Sequence, residues 1–201
     1  MSTQGHNSVS HAWLRALTKI GYVGQVYEVP LGVSVKNKRI YGDGMAKNFS
    51  ISATVLVWDV RVSSSYLVNC REEATQDMFV VTDYNEELKE RSKGDPCRKT
   101  YAGRARFLPV VCNTHGGLGR KAWTWLTEAF QQKIDMAADS TAKHIARLEF
   151  QTLVAEISCA VLRRNSMMLE ANAWPKAGNS APPLDMMFAD LRRDDVMQDA
   201  T

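Results

Sequence analysis

Residues 51–62 read Ile-Ser-Ala-Thr-Val-Leu-Val-Trp-Asp-Val-Arg-Val. β-Branched and apolar side chains dominate both faces of this run, which predicts a central strand in a sheet covered on both sides. Side chains alternate along a strand, so Val55, Val57, Asp59 and Arg61 share one face, and Leu56, Trp58, Val60 and Val62 share the other. Asp59 interrupts an otherwise apolar segment. A carboxylate in such a place must find a partner or shift its pKa, because burying an unpaired charge is costly.

Working outward, Val9, Trp13, Ala16, Leu17 and Ile20 recur at helical spacing ahead of Gly21, which predicts an amphipathic helix over 8–20. A short strand over 22–29 follows, with Pro30 and Gly32 breaking it or placing it at an edge. A weaker strand covers 40–45, interrupted by Gly42 and Gly44. After the central strand, 72–81 and 84–92 are expected to be helical, with Gly94-Asp95-Pro96 as a breaker and a short helix holding Lys99. Phe107-Leu-Pro-Val-Val-Cys112 is a second apolar strand, followed by the turn-rich Asn113–Gly119. Trp123, Leu126, Ala129 and Phe130 mark a helix, with Trp123 expected in the core. Asp139 or Ser140 caps a last long helix, whose stripe is expected to be Ile145, Leu148, Thr152, Ala155, Cys159 and Leu162. The order is helix, three strands, helical stretch, strand, helices, which gives an α/β fold class with a small mixed central sheet flanked by helices and a C-terminal helical extension. The expected division is a core over 1–135, a helical extension over 136–175 packed on it, and a flexible acidic tail over 176–201.

The chain has 201 residues, 45% of them apolar, and carries a net charge of +3. That composition supports a buried core and excludes wholesale disorder. The small net charge hides an uneven distribution. No acidic residue occurs from Pro96 to Thr127, a stretch holding Arg98, Lys99, Arg104, Arg106, Arg120 and Lys121, while the span 185–199 contains five aspartates. A basic centre between acidic flanks suits a phosphate backbone. Cys70, Cys97, Cys112 and Cys159 are widely spaced, which argues against a zinc site or a disulfide framework. With no apolar leader in the first residues and no run long enough to span a bilayer, the expectation is an intracellular protein, nuclear or cytoplasmic, with no membrane partner. A homodimer is admitted.

Asp59 with Arg61 two residues on sets an acid and a cation on one strand face. A carboxylate can hold Mg²⁺ while the cation stabilises charge on a phosphoryl group. A second carboxylate must converge, and Asp43 in Tyr41-Gly-Asp-Gly44 is the best candidate, with Glu28 in Tyr27-Glu-Val-Pro30 another. The plainer reading is a salt bridge between Asp59 and Arg61 at a strand end.

The order Asp43, then Asp59-Val60-Arg61, resembles the PD-(D/E)-x-K nuclease superfamily. The wider succession is similar to the restriction-endonuclease-like domain that trails reverse transcriptases in eukaryotic retroelements. That succession includes His6-Asn-Ser-Val9, Glu28-Val-Pro-Leu31, Arg39-Ile-Tyr-Gly-Asp43, Trp58-Asp-Val-Arg-Val62, Lys99-Thr-Tyr101, Phe107-Leu-Pro-Val110, Thr114-His-Gly-Gly-Leu-Gly119 and Ile157-Ser-Cys-Ala-Val-Leu-Arg-Arg-Asn165. The resemblance covers residues 6–165. It implies a restriction-endonuclease-like fold and a DNA endonuclease using Mg²⁺ or Mn²⁺. Asp43 and Asp59, with Glu28, would hold the metal. Arg61 would stand where the superfamily has Lys, and Lys99 would supply a further cation. Arg98, Arg104, Arg106, Arg120 and Lys121 would contact DNA. Arg61 keeps the charge but does not deprotonate, so it offers electrostatic stabilisation and no general base. The alternative function is a catalytically silent nucleic-acid-binding or protein-interaction module on the same fold. Gly116, Gly117 and Gly119 could also let backbone amides approach a phosphate at the next helix, although tight-turn geometry explains them equally.

Overall fold

The computed structural model describes residues 3–34, 36–48, 55–63, 77 and 79–173. They form α1 (Thr3–Lys19), β1 (Val23–Val33), β2 (Arg39–Lys47), β3 (Val55–Ser63), α2 (Val80–Lys89), a π-helical turn (Glu90–Gly94), α3 (Asp95–Thr100), β4 (Ala105–Asn113), α4 (Arg120–Asp135) and α5 (Ser140–Ala173). The expected helix over 72–81 falls mostly outside the described residues, as does Cys70.

The architecture is a mixed four-stranded sheet, order β1-β2-β3-β4, flanked by helices. β1 to β3 form an antiparallel meander, and β4 joins β3 in parallel with Val55 beside Ala105 and Ser63 beside Asn113. β3 is therefore central, as its apolar composition requires. β1 runs through Pro30 and Gly32 to Val33. It is an edge strand, where a residue without an N–H is tolerated. Its register against β2 shifts between Val26 and Val29 and again between Pro30 and Gly32.

The alternation along β3 builds two cores. Leu56, Trp58 and Val60 join Leu108, Val110 and Cys112 of β4 beneath α1, α4 and α5, which contribute Val9, Trp13, Leu17, Trp125, Leu126, Phe130, Leu153, Ile157 and Val161. On the opposite face Val57 packs with Val29, Leu31, Cys97, Ala105 and Phe107. Gly44 has no room for a side chain, because a Cβ there would run into the Trp58 indole. α1 stops at Gly21, whose φ of 88° is the left-handed C-terminal conformation, with Tyr22 N–H bonding Leu17 O and Gly21 N–H bonding Thr18 O.

Three expectations change. Gly94-Asp95-Pro96 does not break the helix: Gly94 keeps a φ of −64° and the chain stays helical from Val80 to Thr100. Proline lacks an N–H and crowds the carbonyl four residues back. The turn widens here so that Asp95 N–H bonds Glu90 O instead, which makes the room that Pro96 needs. Second, the expected stripe of α5 is its outer one. Ile145, Leu148 and Leu162 are about half exposed, whereas Ala146, Leu153, Ile157, Ala160 and Val161 face the core. The helix is apolar on two opposite faces, so spacing alone could not choose between them. Third, Trp125 takes the core position on α4, while Trp123 is 39% exposed and leans on Phe150 of α5.

Residues 1–165 make one compact unit and residues 166–201 a second, of which the described part is the end of α5. No helix among the described residues is long and apolar enough to cross a membrane.

Candidate active site

The β2–β3 ladder ends at the pair Gly44–Trp58. Immediately beyond it, Asp43 replaces the backbone pairing with its side chain: Oδ2 accepts the Val60 N–H. One peptide away lies Asp59, 1% exposed and on the face crossed by α2 and the π turn. Its two oxygens are taken by two ammonium groups, Lys93 on Oδ1 and Lys89 on Oδ2. Lys89 Nζ also donates to Val60 O at 3.1 Å. The Asp59–Val60 segment is thus gripped at its N–H by Asp43, at its carbonyl by Lys89, and at its carboxylate by both lysines.

Burial pushes the Lys89 ammonium down to about 8, with Lys93 adding repulsion and Asp43 opposing both. Lys93 is lowered by burial and held up by Asp43. Both lysines therefore feel Asp43 as well as touching Asp59, so two acids and two bases form one cluster. Lys93 is the more open of the pair, with 26% of its side chain exposed against 13% for Lys89.

The structure brings together Asp43 and Asp59 of the expected site, and not the others. Arg61 is exposed, so neither the expected catalytic cation nor the plain Asp59–Arg61 salt bridge forms. The helix that covers Asp59 supplies its own cations, which leaves the guanidinium to water. Lys99 points to solvent on the last turn of α3, whose inward residue is Cys97. Glu28 is exposed in the register shift of β1. Among the described residues no group of three or more His, Cys, Asp or Glu side chains could hold a metal ion. The donor set that remains, two carboxylates, is one that Mg²⁺ accepts when water completes its shell. The ammonium groups lying on Asp59 mark that position as favourable to positive charge.

Four of the five residues expected to contact DNA line one cleft of about 740 Å³ beside β4: Arg98, Arg106, Arg120 and Lys121. Arg104, in the turn before β4, is exposed but lies outside that lining. Two of the four are already engaged. Arg98 pairs with Glu90 and Asp95. Arg120 bridges Asp83 at 3.2 Å and Asp77 at 3.3 Å and sits 4.7 Å over the Phe79 ring. Arg106 and Lys121 are the exposed cations left to meet a ligand.

The glycine loop before α4 holds no vacant phosphate cradle. Asn113 Oδ1 accepts the N–H groups of His115 and Gly117, and α5 clamps the loop through Ser158 Oγ on Gly116 O and Asn165 Nδ2 on Thr114 O. The first turn of α4 already has its acceptor. Glu86, reaching over from α2, accepts the Lys121 N–H on both carboxylate oxygens, at 3.1 and 3.2 Å.

Lys89, Lys93 and Glu86 were not foreseen from the sequence. All three lie in a charged helical stretch that reads as a solvated face. The usable signals were the four-residue spacing of the lysines and the unmet charge of Asp59. Neither a family model nor a curated protein matches the sequence.

Proposed function

We propose that the chain is a metal-dependent DNA endonuclease of the restriction-endonuclease-like kind, related to the domains that follow reverse transcriptases in retroelements. One observation carries the reading: Asp43 and Asp59, from adjacent strands, meet two lysines from a covering helix where the β2–β3 ladder ends. Mg²⁺ or Mn²⁺, when bound, supplies a Lewis acid for the phosphate and an activated water. Asp43 and Asp59 are the residues that would hold it. Lys93, the more exposed lysine, takes the electrostatic role first expected of Arg61 and steadies negative charge at the scissile phosphate. Lys89, with its pKa near 8, remains with Asp59 and Val60 O and keeps the carboxylate oriented. The cleft beside β4 offers Arg106 and Lys121 to the phosphate backbone.

A second reading has one specific observation in its favour. Both Asp59 oxygens are occupied by lysines and no third acid among the described residues converges, as in a nucleic-acid-binding module whose own cations have replaced the metal.

Nicking of supercoiled plasmid in Mg²⁺ or Mn²⁺ separates the two. The endonuclease reading expects nicked circles with the native chain, none with Asp43→Asn, and a loss on the order of a hundredfold with Lys93→Met. Intact folding with no nicking in either metal overturns it in favour of the binding module. That module is then tested by duplex binding at several salt concentrations, where Arg106→Glu and Lys121→Glu flatten the salt slope.

A further inference from the structure

We propose that two copies of the chain pair in parallel along the outer face of α5. The residues Ile145, Leu148, Thr152, Ala155, Cys159 and Leu162 alternate at three and four residues, the seam spacing of a two-stranded coiled coil. All six are exposed, Ile145 to 52%, Leu148 to 48% and Leu162 to 47%. Ile145, Leu148 and Leu162 thus leave about half of their surface in water along one regular stripe, which a partner helix of the same spacing would cover.

The geometry suits a second copy. The core-facing residues Ala146, Leu153, Ile157, Ala160 and Val161 lie on the opposite side of α5, so the bulk of the unit lies away from the seam and meets it at its edges, through Ser158 on Gly116 O and through the Lys133–Glu149 and Arg15–Glu156 pairs. The helix is already folded by its own core contacts, so association does not have to supply the cost of forming it. A seam too short to form as free peptides is sufficient on a preformed helix. Thr152 turns its hydroxyl back to Leu148 O at 2.9 Å and adds no unpaired polar group. The small Thr152, Ala155 and Cys159 sit at the middle, where two helices come closest.

The residue types suit two strands, and the seam's edges set the direction. β-Branched Ile145 and Thr152 occupy the first core position of their heptads, and Leu148 and Leu162 the second, the distribution that favours two strands in a parallel coiled coil. The seam is edged by His144, Gln151 and Ser158 on one side and by Glu149, Glu156 and Arg163 on the other. In parallel, His144 faces Glu149 of the partner subunit, Gln151 faces Glu156 of the partner subunit, and Ser158 faces Arg163 of the partner subunit, so no like charges meet. Antiparallel pairing would set Glu149 beside Glu156 of the partner subunit. Glu149 and Glu156 are already steadied within their own subunit, by Lys133 and by Arg15.

Cys159 is an exposed thiol at a core position of this seam, and in parallel it faces its own copy. The test uses the full chain carrying Cys70→Ser, so that Cys159 is the one exposed cysteine. Light scattering should give twice the 22.5 kDa chain mass. Oxidation by diamide, which takes up the two thiol hydrogens and electrons, should give a covalent dimer that Cys159→Ser abolishes without changing the light-scattering mass. Leu148→Gln with Leu162→Gln should give a monomer of unchanged helical circular dichroism. A monomer at every concentration overturns the proposal. So does a dimer that survives the double substitution, or one in which Cys159 couples to an introduced Leu148→Cys and not to its own copy.

Discussion

Asp59 illustrates what a single residue discloses. An acid in the middle of an apolar strand announces that a cation must come to it, and that much is readable from the chain. Which cation comes is decided by the fold, because Arg61 is near in sequence while Lys89 and Lys93 are near in space. Removing the acid leaves Lys89 and Lys93, both largely buried, with Asp43 as their counter-charge, so Asp59→Asn should lower stability by about 3 kcal/mol in urea unfolding. Glu86 behaves differently. Burial raises its carboxyl from 4.5 to about 7, with the Lys121 and Ala122 N–H groups opposing and Asp83 assisting. A carboxyl raised in the folded state binds its proton more tightly there than in the unfolded chain. Its contribution therefore favours folding below 4.5, is lost as pH rises through about 7, and is level above that. Glu86→Gln keeps an acceptor for the Lys121 N–H and removes the titration. Its stability advantage over the native chain should grow between pH 5 and pH 8, to about 3 kcal/mol. Equal advantage at both pH values would show that Glu86 is not the titrating group. Gly44→Ala pushes a methyl into the Trp58 ring and should cost about 1–3 kcal/mol by the same measurement.

Elements were legible where one face is apolar and the other polar. α1, with Val9, Trp13, Ala16, Leu17 and Ile20 all buried, is such a case. α5 was not, because two apolar stripes on opposite faces compete. The helix from Val80 to Thr100 was misread for another reason. Gly94 and Pro96 carry strong breaking signals, yet one widened turn absorbs both. No local rule predicts that turn, because its benefit lies in holding Lys93 on Asp59 and Cys97 in the second core. The start of α5 was read correctly: Asp139 Oδ1 accepts the Ala142 N–H at 2.8 Å. Asp139→Ala should remove about 1 kcal/mol of stability, and Asp139→Ser should restore most of it.

For the whole molecule, the order of helices and strands was available from periodicity, but the sheet was not. Nothing local says that β4 lies parallel to β3, or that Arg98, Arg106, Arg120 and Lys121, scattered over the sequence, line one cleft. The parallel pair also sets the order of assembly. β1, β2 and β3 close through short connections, whereas Val55 must meet Ala105 across a long excursion that contains α2 and α3. Loop closure of that length costs entropy before any contact repays it. Folding is therefore expected to begin in the α1–β3 meander and to wait on the arrival of β4. Pulse-labelling hydrogen exchange during refolding should protect the Leu56 and Trp58 amides, which face β2, before those of Leu108 and Val110, which face β3. That late strand is also one wall of the cleft that gathers Arg98, Arg106, Arg120 and Lys121, so the incomplete chain does not yet concentrate those cations in one place while it folds.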